Sequence, residues 1–210
     1  MRSDEYTSKE HRVHDLSMGK MVNGYFANVI QTMRNIPLTT IDEMVEVLMQ
    51  AYEAERMIYL FGNGGSAALA SHFACDLGKG AANGSEKRFR VLALTDNVPL
   101  MTAWANDAHY EDVFAEQLIN FVRPDDIAFA ISGSGRSPNV IKALKVARQA
   151  GAFALGLTGF QGGDMKDLCD LCLVVPSNNM QIIEDLHLSV THAVFTALRA
   201  KICQKSTVVA

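Results

Sequence analysis

The chain has 210 residues, 49% of them hydrophobic and 20% charged, enough apolar material for one core of ordinary domain size. Lys and Arg number 19 against 23 Asp and Glu, a net charge of −4, which excludes a generally basic nucleic-acid surface. No apolar run reaches the ~18 residues of a membrane-spanning helix, and four cysteines do not make a disulfide framework.

Residues 1–16 are polar and expected to be loose. With no apolar segment behind residues 1–10, a cytoplasmic protein without a secretory signal is expected. From Met18, apolar residues recur at three- and four-residue steps (Met21, Val22, Tyr25, Phe26, Val29, Ile30, Met33) and predict a helix that Pro37 ends. Thr40 and Glu43 have the spacing of a capping box, and Met44, Val45, Val47, Leu48 and Tyr52 continue a second helix. The rhythm then changes. An apolar strand over 57–61 breaks at Gly62-Asn63-Gly64-Gly65-Ser66, before a helix over 67–77. A second strand over 89–94 precedes helical text from 99 to 121. A third, over 126–131, breaks at Ser132-Gly133-Ser134-Gly135-Arg136-Ser137, and Pro138 opens a helix running to 150. Strands over 153–157 and 171–175 and a helix over 180–202 complete the chain. This alternation predicts an α/β domain, a doubly wound five-stranded parallel sheet flanked by helices. The two leading helices have no strands of their own, so they must cover the sheet or meet another subunit.

Two strand-to-helix turns share one chemistry. Glycines let the backbone come close to a ligand, and the helix behind offers free N–H groups and the positive end of its dipole. Ser66 in the first turn and Ser132, Ser134 and Ser137 in the second add hydroxyls, which suits a phosphate monoester at the carboxyl edge of the sheet. No nucleotide cofactor is expected. The stretch Gly62-x-Gly64-x-x-Ala67 lacks a properly spaced acid, Asp96 coming 29 residues after Ala67, and no Gly-Lys-Ser/Thr occurs.

Phe61-Gly-Asn-Gly-Gly-Ser-Ala-Ala, Ser71-His-Phe-Ala-Cys-Asp, Ser132-Gly-Ser-Gly-Arg-Ser, Leu157-Thr-Gly-Phe and Glu184-Asp-Leu-His with His192 together resemble the sugar isomerase (SIS) domain family, in its phosphoheptose isomerase (sedoheptulose 7-phosphate isomerase) branch. The resemblance covers nearly the whole chain. It implies one SIS domain over 1–210, with 17–55 a helical oligomerisation segment, assembled as a homotetramer with sites at subunit interfaces. The implied reaction converts D-sedoheptulose 7-phosphate to D-glycero-D-manno-heptose 7-phosphate. Two alternatives stay open: a non-catalytic phosphosugar-binding or protein-interaction module, which the branch also contains, and an isomerase of another phosphosugar.

By that resemblance Asp76 stands at the family's base and His192 at its acid, and a carboxylate with an imidazole suits proton transfer near neutral pH. The two are expected on opposite sides of the sugar, from one subunit or two. Some members bind zinc, whose ligands map onto His72, Asp76, Glu184 and His192, a donor set fit for Zn²⁺. Eight residues of helix separate Glu184 from His192, an axial rise of ~12 Å. Asn63, Gly64 and Asp96 map onto the sugar pocket, with Ser66, Ser132, Ser134 and Ser137 on the phosphate. The chain departs from the family at Asp76 (usually Glu), Glu184 (usually Gln), Gln181-Ile182 (often an acidic residue and Arg), Gly133 (Thr) and Arg136 (often Asn), so Glu184 is an alternative base. His187 is read as a surface or core histidine and His109 as a loop residue. Cys75 is read as packing, and Cys169-x-x-Cys172, without a second pair, as no metal site. His11 and His14 are given no role, and Lys79 and Arg88 are read as surface charges.

Overall fold

The structure, a computed structural model, describes residues 18–81 and 87–208; the expectations for 1–16, including His11 and His14, lie outside them. Five strands, β1 (Met57–Gly62), β2 (Arg90–Ala93), β3 (Ile127–Ile131), β4 (Phe153–Thr158) and β5 (Leu171–Val174), form one sheet in the order β2-β1-β3-β4-β5. Every pairing is parallel. Among the described residues no helix is long and apolar enough to cross a membrane.

Strand alternation divides the core. Ile58 and Leu60 of β1 and Ile127, Phe129 and Ile131 of β3 face a layer made by α2 (Leu38–Glu53), α3 (Gly65–Cys75) and α8 (Met180–Val208). Tyr59, Phe61, Ala128 and Ala130 face the other layer, which includes α6 (Pro138–Gln149). The alanines let α6 approach with Val140, Ala143, Leu144 and Ala147. The first helix, α1 (Met18–Arg34), buries no residue. Its Tyr25 and Val29 lean on the core, and the Tyr25 hydroxyl donates to Asp185 Oδ2 at 2.5 Å. Met18, Met21, Val22, Phe26, Ile30 and Met33 remain exposed.

Three local expectations are corrected. α2 starts at Leu38 with Pro37 as its N-cap and no side-chain cap, because proline's fixed φ already starts the helix; Thr40 and Glu43 are inside it and form no capping box. The helical text over 99–121 divides into α4 (Val98–Asp107), a 3₁₀ turn (Tyr110–Asp112) and α5 (Ala115–Phe121). The break lets the Tyr110 hydroxyl reach Asn63 and Asp112 hold Lys142. α3 passes at Asp76 into a π-helical turn, Asp76–Gly80, closed by Ala81 N–H on Asp76 O at 3.2 Å, the kind of widened turn often found at functional sites. A short α7 (Met165–Leu168) also precedes β5.

The chain leaves β1 toward β2 and then crosses to β3 on β1's other side. The crevice beyond the carboxyl ends of β1 and β3 is therefore the topological switch point, where open α/β sheets bind ligands.

Candidate functional site

Both glycine–serine turns flank that crevice. Gly62 pairs with Ile131, and a Cβ on Gly62 would stand 2.5 Å from the Ile131 carbonyl and 2.8 Å from Ser66 Cβ. Only glycine fits this approach of the two loops. Gly64, at φ +55°, turns the chain into α3. Asn63 and Asn139 exchange two amide hydrogen bonds of 2.8 Å, which bracket the first turn to the start of α6. Tyr110 donates to Asn63 Oδ1 at 3.0 Å. The Asn63 side chain, expected on the sugar, is thus committed largely to joining the loops. Asn139, 2% exposed, was missed because an asparagine after a proline carries no distinctive signal. In the second turn the Ser132 and Ser137 hydroxyls lie 3.2 Å apart, and Ser134 Oγ accepts from Arg136 N–H. The Gly135 carbonyl accepts from Met165 N–H at 3.0 Å, so α7 supports this loop from behind.

On the other flank α3 and α8 run side by side in one direction. Glu184 Oε1 lies 3.4 Å from where a Cβ of Gly65 would be, and seven residues along α3 His72 Nε2 faces His192 Nε2 at 2.9 Å. Between them is a cavity of about 420 Å³, lined among others by Gly65, Ser66, His72, Glu184, His187 and His192. Asp76 Oδ2 lies 3.5 Å from His72 Nε2 and 3.8 Å from His192 Nε2. Two imidazole nitrogens and a carboxylate oxygen thus lie within 4.8 Å of one another. His72 and His192 line one end of the cavity, and Asp76 stands beside them in the same chain without lining it. Glu184 is absent from this group: it stands by Gly65 at the other end, because its eight-residue separation along α8 is not closed by any bend.

Asp96 is held by the Ser71 hydroxyl and does not line the cavity. Ser71 is next to His72 but about a hundred degrees round the helix. Gly64, Ser132, Ser134 and Ser137 also stand outside the cavity lining, on the loop side of the crevice. His187 is buried, with Nε2 on the Thr158 carbonyl at 3.1 Å, and burial brings its pKa down to about 4. Cys75 is exposed rather than packed. Cys169 and Cys172 are free thiols whose sulfurs both lie within 3 Å of a Cβ built on Gly156.

Residues 24–159 match the SIS domain family. The phosphoheptose isomerase of Aliarcobacter butzleri is 40% identical over 168 residues, 80% of this chain and 86% of that one. The chain belongs to the phosphoheptose isomerase family of SIS-domain proteins. The enzyme of that name from Paramagnetospirillum magneticum is 41% identical over 157 residues, 75% of this chain and 81% of that one. Among solved structures, the phosphoheptose isomerase of Neisseria gonorrhoeae superposes with a TM-score of 0.81 at 29% identity, covering 88% of this chain and all of that one. That of Francisella tularensis gives 0.80 at 26% identity, covering 87% and 98%.

Proposed function

We propose that the crevice isomerises D-sedoheptulose 7-phosphate to D-glycero-D-manno-heptose 7-phosphate. The observation that carries this is a cavity with a serine-bearing helix start at one end and two facing imidazoles at the other, with the Asp76 carboxylate beside them. Ser66 and the N–H groups opening α3, with Ser132, Ser134 and Ser137 across the crevice, bind the phosphate. The carbonyl end of the sugar reaches His72, Asp76 and His192.

Asp76 is the base. Its Oδ2 faces the histidines, and Oδ1 takes a proton from C1 of the ketose. His192 gives a proton to the C2 carbonyl oxygen, leaving an enediol. Asp76 then returns its proton to C2 while His192 takes back the one on the C1 oxygen, and the aldose results. No net proton is gained or lost, so the pair is reset after each turnover.

The donor set also suits Zn²⁺, because a catalytic zinc site has three protein ligands and an open position. His72, Asp76 and His192 would hold the ion, and Glu184 would not. When bound, it would polarise the two sugar oxygens between which the carbonyl moves. Uptake of one Zn²⁺ that His192→Ala abolishes and Glu184→Gln leaves intact is the expected result; uptake unaffected by His192→Ala rejects this site.

The chain forms one domain whose segment 17–55 serves oligomerisation. The exposed apolar face of α1 favours a homotetramer, with α1 beside the site through Tyr25 and Asp185. Charged substitution at Phe26 is expected to lower the mass measured by light scattering, and an unchanged mass contradicts it. We place the enzyme in the cytoplasm. Incubation with a panel of ketose phosphates tests the substrate: turnover of the seven-carbon sugar supports the assignment, and turnover only of another sugar moves the enzyme to that substrate.

A further inference from the structure

His187 stands on α8 between Glu184 and His192 and lines the cavity they share, yet proton transfer as described does not use it. The residue is 1% exposed. Its Nε2 faces the Thr158 carbonyl oxygen at 3.1 Å, and a carbonyl can only accept, so Nε2 carries the ring proton. Burial keeps the ring neutral, with a pKa of about 4. Nδ1 is then a bare acceptor. Among the described residues it is the buried side-chain polar atom left without a partner. Buried polar atoms are nearly always paired, so an orphan on a residue that lines a cavity points to a donor that arrives with a ligand.

Its position says which part of the ligand. Glu184 marks the Gly65 end of the cavity and His192 the His72 end. His187 lies ~4.5 Å along the helix axis from the first and ~7.5 Å from the second. A phosphosugar with its phosphate near Ser66 and its carbonyl near His192 lays its middle carbons beside this ring.

We infer that His187 Nδ1 accepts a hydrogen bond from a mid-chain hydroxyl of the bound phosphosugar, so that His187 contacts the substrate and selects for a hydroxylated chain of this length. The inference rests on the phosphosugar reading of the cavity.

Long-range ¹H–¹⁵N correlation of the histidine rings tests it in the unmodified protein, the His187 signals being assigned by their loss in His187→Gln. Without ligand, Nδ1 is expected at the position of a bare nitrogen. Saturating D-sedoheptulose 7-phosphate moves it to that of a hydrogen-bonded one, and inorganic phosphate does not. No movement with the sugar overturns the inference. So does equal movement with inorganic phosphate, or a nitrogen already hydrogen-bonded in the free protein, the mark of a fixed water. Turnover in the same sample separates the failures. If the sugar is isomerised while Nδ1 stays still, only this inference falls; if it is not isomerised, the functional reading falls and this one with it. In kinetics, His187→Leu is expected to raise KM ~10-fold or more with a smaller change in kcat, and His187→Gln, which keeps a donor and an acceptor, to rescue most of that. An unchanged KM in His187→Leu contradicts the contact.

Discussion

The turn at 62–66 runs into α3, which carries Ser66 and His72 and, at its end, Asp76 along the flank of α8. The turn at 132–137 is built of the same residue types but runs into α6, whose buried residues Val140, Ala143, Leu144 and Ala147 pack on the sheet. Its own hydroxyls are arranged among themselves, Ser132 with Ser137 and Ser134 with the Arg136 N–H. What separates the two is the helix that follows. The first turn leads into the helix that bears His72 and ends at Asp76; the second leads into a helix that packs on the sheet. On the proposed function, binding and chemistry therefore divide across the crevice and can be perturbed separately.

The largest expected effect is on the α3 side. Asp76→Asn or His192→Gln is expected to cut turnover by ~10²–10⁴-fold, the usual contribution of general acid–base catalysis, with phosphosugar binding retained. If Asp76→Asn turns over normally while Glu184→Gln does not, the base lies at the Gly65 end of the cavity and the division drawn here is wrong. Asp76→Glu sharpens the point. A site shaped for the shorter side chain loses turnover, and a gain would mark the aspartate as a weakened form of the family's glutamate.

A second effect, on stability, belongs to α8. Unfolded, the His187 ring takes up a proton near its ordinary value of 6.5; folded, it does so only near pH 4. Between those values the unfolded chain binds more protons, so stability is full above about pH 6.5 and is lost as pH falls toward 4. By pH 5 the loss is on the order of 2 kcal/mol. Urea midpoints at pH 7 and pH 5 measure it, and His187→Gln is expected to flatten the difference. An equal difference in that variant would assign the acid sensitivity elsewhere.

Smaller than the loss of turnover, and similar in size to the acid effect, are the effects on the loop side. Ser134→Ala or Ser137→Ala each removes a hydrogen bond to a charged group, ~1.5–3 kcal/mol, and is expected to raise KM about 10–100-fold with kcat nearly unchanged. A loss confined to kcat would mean that this turn takes part in the chemistry.

Much of this was legible in the residues. Each strand begins and ends within one residue of its apolar run, because a fully buried parallel strand must be apolar throughout and here is bounded by polar or glycine turns. His72, Asp76 and His192, which come together in the structure, were picked out by resemblance, since helical spacing alone does not tell a site histidine from a core one. What failed depended on tertiary packing. The reading of His109 as a loop residue falls at the break after Asp107, but nothing in the sequence shows that Tyr110 and Asp112 there reach Asn63 and Lys142. Glu184 was grouped with the histidines by resemblance, although the ~12 Å rise already argued against it. His187 and Cys75 were misjudged or left open because burial on an amphipathic helix depends on which neighbours arrive, and sequence spacing does not name them.

On the proposed function, Asp76 and His192 move a proton between adjacent carbons of a phosphosugar. The most direct measurement is NMR of D-sedoheptulose 7-phosphate incubated with the protein in D₂O. Deuterium appearing at the carbon next to the carbonyl, together with the aldose product, and lost in Asp76→Asn, is the expected result. A sugar that binds, as shown by protection of the protein against thermal unfolding, yet keeps all its carbon-bound protons would contradict the account and leave a binding module in its place.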